Sequence, residues 1–401
     1  MALNVKVGLI GLLDMLKFAN LGKVRQQAID AAPAKEIKAD YPINNKAKLL
    51  HPDYQKLVID EIIDHADADA KTYVFRKADG SLPAYFRAGQ YLSLKLQFGE
   101  SFVTRPYSIS SSPKWALEGK VAITVKKNPG GFAADKMLDT FQVGDEIIAS
   151  AGEGHFYYDE LRDCKNVVAL AGGSGITPFL SMAYAIRDGI EDFNLTILFG
   201  SRTENAILFK KEFDEITAAC PKVKVVHVLS DEEKDGYEHG FITAELIKKY
   251  ADAPYSVFIC GPEAMYRFVA GEVEKLGLDR KHVRRELLGV TKKVWELPGY
   301  PVEKKDQVFQ ITVKQGANEI VVAASANEPI LVALERAGLK APSRCRSGEC
   351  GWCRSHLVSG EVFIPEETDG RRWADKKYNE IHPCASFALG DLVLEVPGEY
   401  Y

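Results

Sequence analysis

The sequence predicts a multidomain chain of α/β plus β class: an antiparallel barrel, then a parallel α/β sheet, then a small β-rich module holding a cysteine loop. Three observations predict it. Short β-branched strands with turn signals between them fill about Gln55 to Phe156. Strands alternate with helices from about Asp163 to Val290. Four of the seven cysteines crowd the last 60 residues, behind a hairpin and a helix.

Bulk composition sets the frame. At 401 residues the chain has room for two to four domains of roughly 100–200 residues each. Hydrophobic residues make up 46% and charged residues 27%, which excludes collagen-like, disordered and disulfide-scaffold classes. Lys and Arg number 51 against 56 Asp and Glu, so no basic excess points to nucleic acid. Val7 to Leu13, the longest apolar run near the start, is far shorter than the roughly 20 residues that span a bilayer. It also lacks the basic flank and small-residue cleavage site of a secretory signal. The expectation is a cytoplasmic chain with no transmembrane segment.

The first 52 residues stand apart, with eight Lys/Arg against four Asp/Glu, a local charge of +4 that leaves −9 for the remainder. Leu9, Leu12, Leu13 and Leu16 recur at helical spacing and Ala31-Ala32-Pro33-Ala34 breaks it, which predicts a short amphipathic helix and an irregular arm packed on the chain's own body. In the barrel region, Lys56–Ile63, Tyr91–Leu96 and Val121–Val125 read as strands, with turns at Asp79-Gly80 and Pro129-Gly130-Gly131. Next, Val167–Leu170, Leu195–Phe199, Val223–Val228 and Val257–Cys260 read as buried strands, with helices near Pro178–Arg187 and Leu208–Ala218. Thr291 to Asp306 reads as a linker. Val308–Val313 and Ile320–Ala323 then form a hairpin about Gly316-Ala317-Asn318, and a helix covers about Pro329 to Ala337. The expected divisions are an arm at 1–52, a barrel at 53–157, a nucleotide sheet at 158–290, the linker at 291–306 and the last module at 307–401.

The cysteines point to chemistry. An odd count with two close spacings is unlike a secreted disulfide framework and suggests thiolates that hold metal. Cys345-x4-Cys350-x2-Cys353, with Cys384 some thirty residues on, has the plant-type spacing of a [2Fe–2S] cluster. A structural zinc site is the alternative, but zinc usually takes two short CxxC-like knuckles, and here the last cysteine stands alone. Gly348 and Gly351 let backbone N–H groups approach the sulfides.

Two further strings lie upstream. Arg105-Pro-Tyr-Ser-Ile-Ser-Ser111 ends a barrel strand; alone it reads equally as an edge strand with a serine-rich turn. Ala171-Gly-Gly-Ser-Gly-Ile-Thr-Pro178 follows a buried strand, and its glycines permit a tight turn and close approach to phosphate. It is not the G-x-G-x-x-G dinucleotide pattern. Cys260-Gly-Pro262, with Met265, follows the last long strand. Cys164 and Cys220 have no motif around them.

Taken in order, these strings resemble the ferredoxin–NADP⁺ reductase superfamily. The segment Ala341–Cys353 with His382-Pro-Cys384 resembles plant-type ferredoxin domains, whose fold is the β-grasp. The match spans about residues 55 to 400 and is to reductase components that fuse a ferredoxin to the C-terminus of a flavin reductase. Relatives serve oxygenases such as phenylacetyl-CoA epoxidase, or hybrid-cluster proteins. The resemblance implies that Arg105 holds flavin phosphate, Tyr107 lies against the isoalloxazine, Ser108 bonds near flavin N5, and Ser111 closes the motif. It implies that Gly130, Gly131, Phe132 and Ala133 receive a pyrophosphate at a helix N-terminus. It places the coenzyme along Gly172, Gly173, Gly175, Thr177 and Pro178, with Gly261, Pro262 and Met265 opposite and the nicotinamide between Thr177 and Cys260.

The implied activity is hydride transfer from NADH or NADPH to FAD, favoured over FMN by the glycine pair at 130–131. Single electrons then pass through the cluster on Cys345, Cys350, Cys353 and Cys384 to a separate redox acceptor protein. Ser201 and Arg202 sit where the adenosine ribose is recognised. Arg202 suits a 2′-phosphate or stacks on adenine, so the coenzyme stays open. Two departures stand out: the N-terminal arm, and Ala151-Gly-Glu-Gly-His-Phe156 where many relatives have a GP-x-G-x-F turn. Two other readings remain, an electron-transfer subunit of a larger flavoenzyme and a non-enzymatic module with a four-cysteine zinc site.

Overall fold

The computed structural model describes residues 9–32, 41–128 and 131–398. The chain divides into two compact units, Met1–Ala47 and Lys48–Tyr401. In the first, α1 (Leu9–Ala31) runs 23 residues, longer than the short helix expected, and Leu13, Met15, Leu16 and Phe18 on it are all exposed. Of the irregular arm expected after it, residues 33–40 lie outside the described residues, and α2 (Pro42–Leu50) covers most of the rest, with Pro42 as its first residue, where a missing N–H costs nothing. Among the described residues no helix is long and apolar enough to cross a membrane.

The second unit begins with six antiparallel strands: β1 (Gln55–His65), β2 (Ala70–Lys77), β3 (Tyr91–Phe98), β4 (Ser101–Ser108), β5 (Val121–Lys126) and β6 (Glu146–Ala149), ordered β4-β3-β6-β1-β2-β5. Past the end of β4, Ile109 bridges Ile123 of β5, bringing the two edge strands together. Leu57, Tyr73, Phe75, Leu94, Ile123 and Met137 fill the interior. The short helix α3 (Pro113–Leu117) starts at a Ser112 cap, and α4 (Phe132–Thr140) starts directly after Gly131.

Six parallel strands follow: β7 (Asn166–Gly172), β8 (Asn194–Ser201), β9 (Val223–Leu229), β10 (Glu238–His239), β11 (Tyr255–Cys260) and β12 (Val283–Arg285), ordered β10-β9-β8-β7-β11-β12. Their helices are α5 (Thr177–Arg187), α6 (Lys210–Ala219), α7 (Ala244–Tyr250) and α8 (Glu263–Glu274). One apolar layer joins Val167, Ala169 and Ala171 to Phe179 and Phe213, and the other joins Val168 and Leu170 to Ile247 and Val269. Covered on both faces, these strands read as continuous apolar runs. The strand order reverses between β7 and β11, and ligands bind at such a switch point, at the carboxyl ends of the strands.

The last module has strands β13 (Val308–Gln315), β14 (Asn318–Ser325), β15 (Ser355–Ser359), β16 (Val362–Phe363), β17 (Glu380–Ile381), β18 (Phe387–Ala388) and β19 (Leu392–Glu395). Its main sheet, β14-β13-β19-β15-β17, has one parallel pair, β13 with β19, and packs on α9 (Ile330–Arg336) through Ile330, Ala333 and Leu334. A helix clasped by a mixed sheet is the β-grasp that the resemblance implies. The helix α10 (Trp373–Lys377) lies between β16 and β17. The linker region is not free chain: Val294 and Tyr300 bury against Phe387 and Leu389.

Barrel and nucleotide sheet are joined by polar staples. Ser181 Oγ donates to Ser111 O at 2.7 Å, and Ser112 Oγ donates to Asp188 at 2.6 Å. Buried Arg284 holds Asp163 with two bonds and donates a third to His155 O at 2.8 Å, so it anchors the Ala151–Phe156 turn that departs from the family pattern.

Candidate redox centre

At the switch point the two coenzyme strings pack on each other. A Cβ at Gly175 would stand 2.2 Å from Cys260 O, and one at either Gly172 or Gly261 would stand 2.5 Å from Met265 Sδ. Glycine is therefore required for the Gly172–Thr177 turn to lie against Cys260–Met265. Thr177 and Pro178 open α5, and Thr177 Oγ1 donates to Ser174 O at 2.9 Å. Gly200 pairs with Gly172, which sets Ser201 and Arg202 beside the turn. Ser201 Oγ is buried without a hydrogen-bond partner, as suits a hydroxyl that meets a ligand. Arg202 donates to Asp231, past the end of β9, at 2.7 Å.

Beside this crevice is the end of β4. Ser108 Oγ donates to Glu286 Oε2 at 3.1 Å, across the seam between barrel and sheet. Burial raises the Glu286 carboxyl to about 8, against the pull of that hydrogen bond. Burial, and then the charge of Glu286, push the Cys260 thiol up. Tyr266 closes the corner, its hydroxyl donating to Ile259 O at 2.9 Å and to Glu286 O. Tyr107 is raised to about 12 by burial, against the opposing charge of Arg105. Arg105 is lowered to about 10 by burial and then by the like charge of Arg346. It donates to Thr104 O at 2.9 Å and lies 3.8 Å from Glu335. Ser111 Oγ is taken up by the Ala122 N–H. Of the expected phosphate residues, Gly131, Phe132 and Ala133 stand at the start of α4, and Gly130 lies outside the described residues.

The four cysteines of the last module converge. Cys353 Sγ and Cys384 Sγ are 3.4 Å apart, Cys345 interacts with both Cys350 and Cys384, and Cys345, Cys353 and Cys384 are buried. Cys350 is exposed. Among the described residues no three His, Cys, Asp or Glu side chains surround one metal-ion position. The thiols form two linked pairs, Cys345 with Cys350 and Cys353 with Cys384, a donor set for two irons. Ser347 and Cys350 N–H groups point at Cys345 Sγ at 3.5 and 3.4 Å, and Trp352 N–H at Cys350 Sγ at 3.4 Å. The thiol hydrogen bonds, that from Cys350 first, hold Cys345 well below the usual thiol range. Gly348 has φ +85°, and a Cβ there would stand 2.1 Å from Thr368 O. The loop thus has its amides already aimed at the cysteine sulfurs, as a sulfur-bound cluster needs.

Tyr91 connects these sites. It pairs with Ser108 across the β3–β4 ladder, and its buried side chain feels the charges of Cys345, Cys350 and Glu286. Sequence reasoning missed Glu286, Tyr91, Asp231, Glu153 and Glu335. Glu286 lies 178 residues from Ser108 and Glu153 lies 191 from Arg344, and of the five only Glu153 falls within a string the sequence singles out, the Ala151–Phe156 turn.

Comparison with known proteins follows the same order. Residues 61–158 match the oxidoreductase FAD-binding domain, 169–271 the oxidoreductase NAD-binding domain, and 313–389 the 2Fe-2S iron-sulfur cluster binding domain. The ferredoxin reductase component of 3-ketosteroid-9-alpha-monooxygenase from Mycobacterium tuberculosis is 30% identical over 321 residues, 77% of this chain and 86% of the relative. The reductase subunit of glycine betaine monooxygenase from Chromohalobacter salexigens is 26% identical over 343 residues, 82% and 91% of the two chains. The solved structure of phthalate dioxygenase reductase superposes with a TM-score of 0.62 at 25% identity, covering 85% of this chain and 98% of that one. FAD, a [2Fe–2S] cluster and NADH or NADPH are accordingly the cofactors of this oxidoreductase. The chain belongs to the ferredoxin–NADP⁺ reductase superfamily, among the oxygenase reductase components whose C-terminal domain is a [2Fe–2S] ferredoxin.

Proposed function

We propose that this chain is the NADH-favouring reductase of a multicomponent oxygenase, delivering single electrons to a separate oxygenase protein at the face formed by Cys350 and Trp352. One observation supports it above the others: Tyr91 and Glu286 stand between the nicotinamide crevice at Cys260 and the cluster ligand Cys345, so donor, flavin and cluster sites adjoin in one compact unit. FAD, when bound, would supply the chemistry that couples two-electron hydride donors to one-electron acceptors, and the protein's part is to hold and orient it.

The side chains divide that work. Arg105 and the α4 N-terminus at Gly131, Phe132 and Ala133 would hold flavin phosphate, through a planar fork and the positive end of the helix. Tyr107 would lie along the ring, and the Ser108 hydroxyl would meet its reactive edge. Glu286, protonated at neutral pH, holds a proton next to Ser108 in a place closed to water. Thr177 and Cys260 would flank the nicotinamide, and Cys345, Cys350, Cys353 and Cys384 would hold the cluster. These roles fit a barrel over 53–157, a nucleotide domain over 158–290 and a ferredoxin module over 307–401, joined by 291–306.

The coenzyme preference rests on Arg202. Its guanidinium is engaged by Asp231, and Glu232 accepts the Glu204 N–H at 2.8 Å alongside. A 2′-phosphate placed there meets two carboxylates, whereas a 2′-hydroxyl finds acceptors. Anaerobic titration with NADH and NADPH tests the proposal. NADH should bleach the flavin and then the cluster bands, and electrons should pass on to an added oxygenase component. Purified protein without iron and acid-labile sulfur would refute it.

A further inference from the structure

Two arginines flank the cluster ligand Cys345; Arg346 is buried and Arg344 largely so, when most arginines are solvated. Arg344 forms an ion pair with Glu153 from the turn after β6, stacks 3.5 Å over the Trp352 ring, and donates to Asp53 O at 3.3 Å. Glu153 is itself fixed. It accepts from Ser93 Oγ at 3.0 Å, and its backbone exchanges two hydrogen bonds with Tyr91, at 3.0 and 2.9 Å. On the other side, Arg346 adopts a left-handed φ of +61° that turns its side chain inward. There it holds Glu335 of α9 with two bonds, one of 3.0 Å, and reaches Thr104 O of β4 at 3.4 Å. Glu335 lies 3.8 Å from barrel residue Arg105. Each arginine of the cluster loop is therefore tied to the barrel, one through Glu153 and one through Thr104 and the shared carboxylate of Glu335.

We propose that Arg344 and Arg346 form a two-point ionic clamp that locks the ferredoxin module on the flavin barrel, with Cys345 turned inward and Cys350 outward. The inference rests on the electron-transfer reading above and adds to it a fixed geometry: electrons enter on the Cys345 side and leave on the Cys350 side with the module docked. Charge pairs suit this use. A buried pair tolerates no substitute partner, because removing one side strands the other charge out of water. An apolar seam of equal area would slide at lower cost. Arg344, Arg346, Glu153 and Glu335 are positioning residues, since none is assigned a contact with the reacting rings.

The test uses the holoprotein with Glu153→Gln, which keeps size and shape, and the charge swap Glu153→Arg/Arg344→Glu. Hydrogen exchange is read at Thr104 and at residues 344–346, and stopped-flow traces separate NADH-to-flavin from flavin-to-cluster transfer. Coupled buried pairs of this kind predict that Glu153→Gln raises exchange and slows flavin-to-cluster transfer about tenfold, leaving flavin reduction within about twofold. The swap should restore most of both. Unchanged exchange with unchanged transfer would overturn the clamp, and so would equal slowing of both steps or a swap that restores nothing. Protein that binds neither flavin nor iron would fail the functional reading instead, and the exchange comparison would still decide the clamp.

Discussion

Ser108 and Glu286 are 178 residues apart in the chain, yet the serine hydroxyl donates to the buried carboxyl oxygen at 3.1 Å. The bond spans the seam between barrel and nucleotide sheet, beside the crevice where flavin and nicotinamide are proposed to meet. Because burial raises Glu286 to about 8, its native form keeps a proton that the unfolded carboxyl, near 4.5, has lost. Stability from this group is therefore complete below about 4.5 and declines as pH rises through about 8. Glu286→Gln should flatten that decline, worth on the order of a few kcal/mol in urea melts taken between the two limits. The same variant should lose the inflection near pH 8 in the rate of flavin reduction. An unaltered stability profile would mean that the carboxyl is ionised at neutral pH.

Cys350→Ser separates the two halves of the reaction. Cys350 is the exposed member of the four proposed cluster ligands, and Trp352 N–H is aimed at its sulfur. Its loss should abolish reduction of a one-electron protein acceptor, while NADH still bleaches the flavin. Loss of both activities together would point to a structural role for the loop. Iron content and electron paramagnetic resonance of the dithionite-reduced protein check the loss of the cluster directly.

How much of this was legible in the sequence depends on where each group's partners lie. The cluster loop, the Arg105–Ser111 string and the Gly172–Pro178 turn could be read because the residues that define them are neighbours in the chain. The central strands were legible for the same reason, through β-branched runs bounded by turns. Glu286, Glu153 and Asp231 were not. Each is a carboxylate just beyond a strand end, the usual place for a solvated charge, and only the tertiary fold buries the first two or brings Asp231 to Arg202. The helix α2 falls inside what reads as an irregular arm, because no local signal marks a second helix after the Ala31–Ala34 break, although its Pro42 is at home in a first helical position. The Thr291–Asp306 segment was read as a linker from its prolines, while Val294 and Tyr300 bury against strand residues almost a hundred positions on.

Arg202 and Asp231 make the coenzyme preference testable. The pair is exposed, so its contribution to stability is small and the variants should fold normally. Asp231→Ser should free Arg202 for a 2′-phosphate and raise kcat/KM for NADPH several-fold relative to NADH. Arg202→Ala in the same background should reverse that gain. Equal effects on the two coenzymes would remove Arg202 from ribose recognition.

Arg105→Ala probes the flavin phosphate and the seam together. The guanidinium is largely buried, donates to Thr104 O and faces Glu335, so its removal takes one charge from a network that Arg346 also serves. A charge-assisted hydrogen bond contributes roughly 1.5–3 kcal/mol, which predicts flavin bound about ten- to a hundredfold more weakly and lost on gel filtration. Arg105→Lys keeps the charge but not the planar fork and should retain flavin only partly. Because Arg346 still holds Glu335 in both variants, the cluster should remain, with its iron content unchanged. Full retention of flavin by Arg105→Ala would assign the phosphate to other donors and leave Arg105 as a structural partner of Glu335.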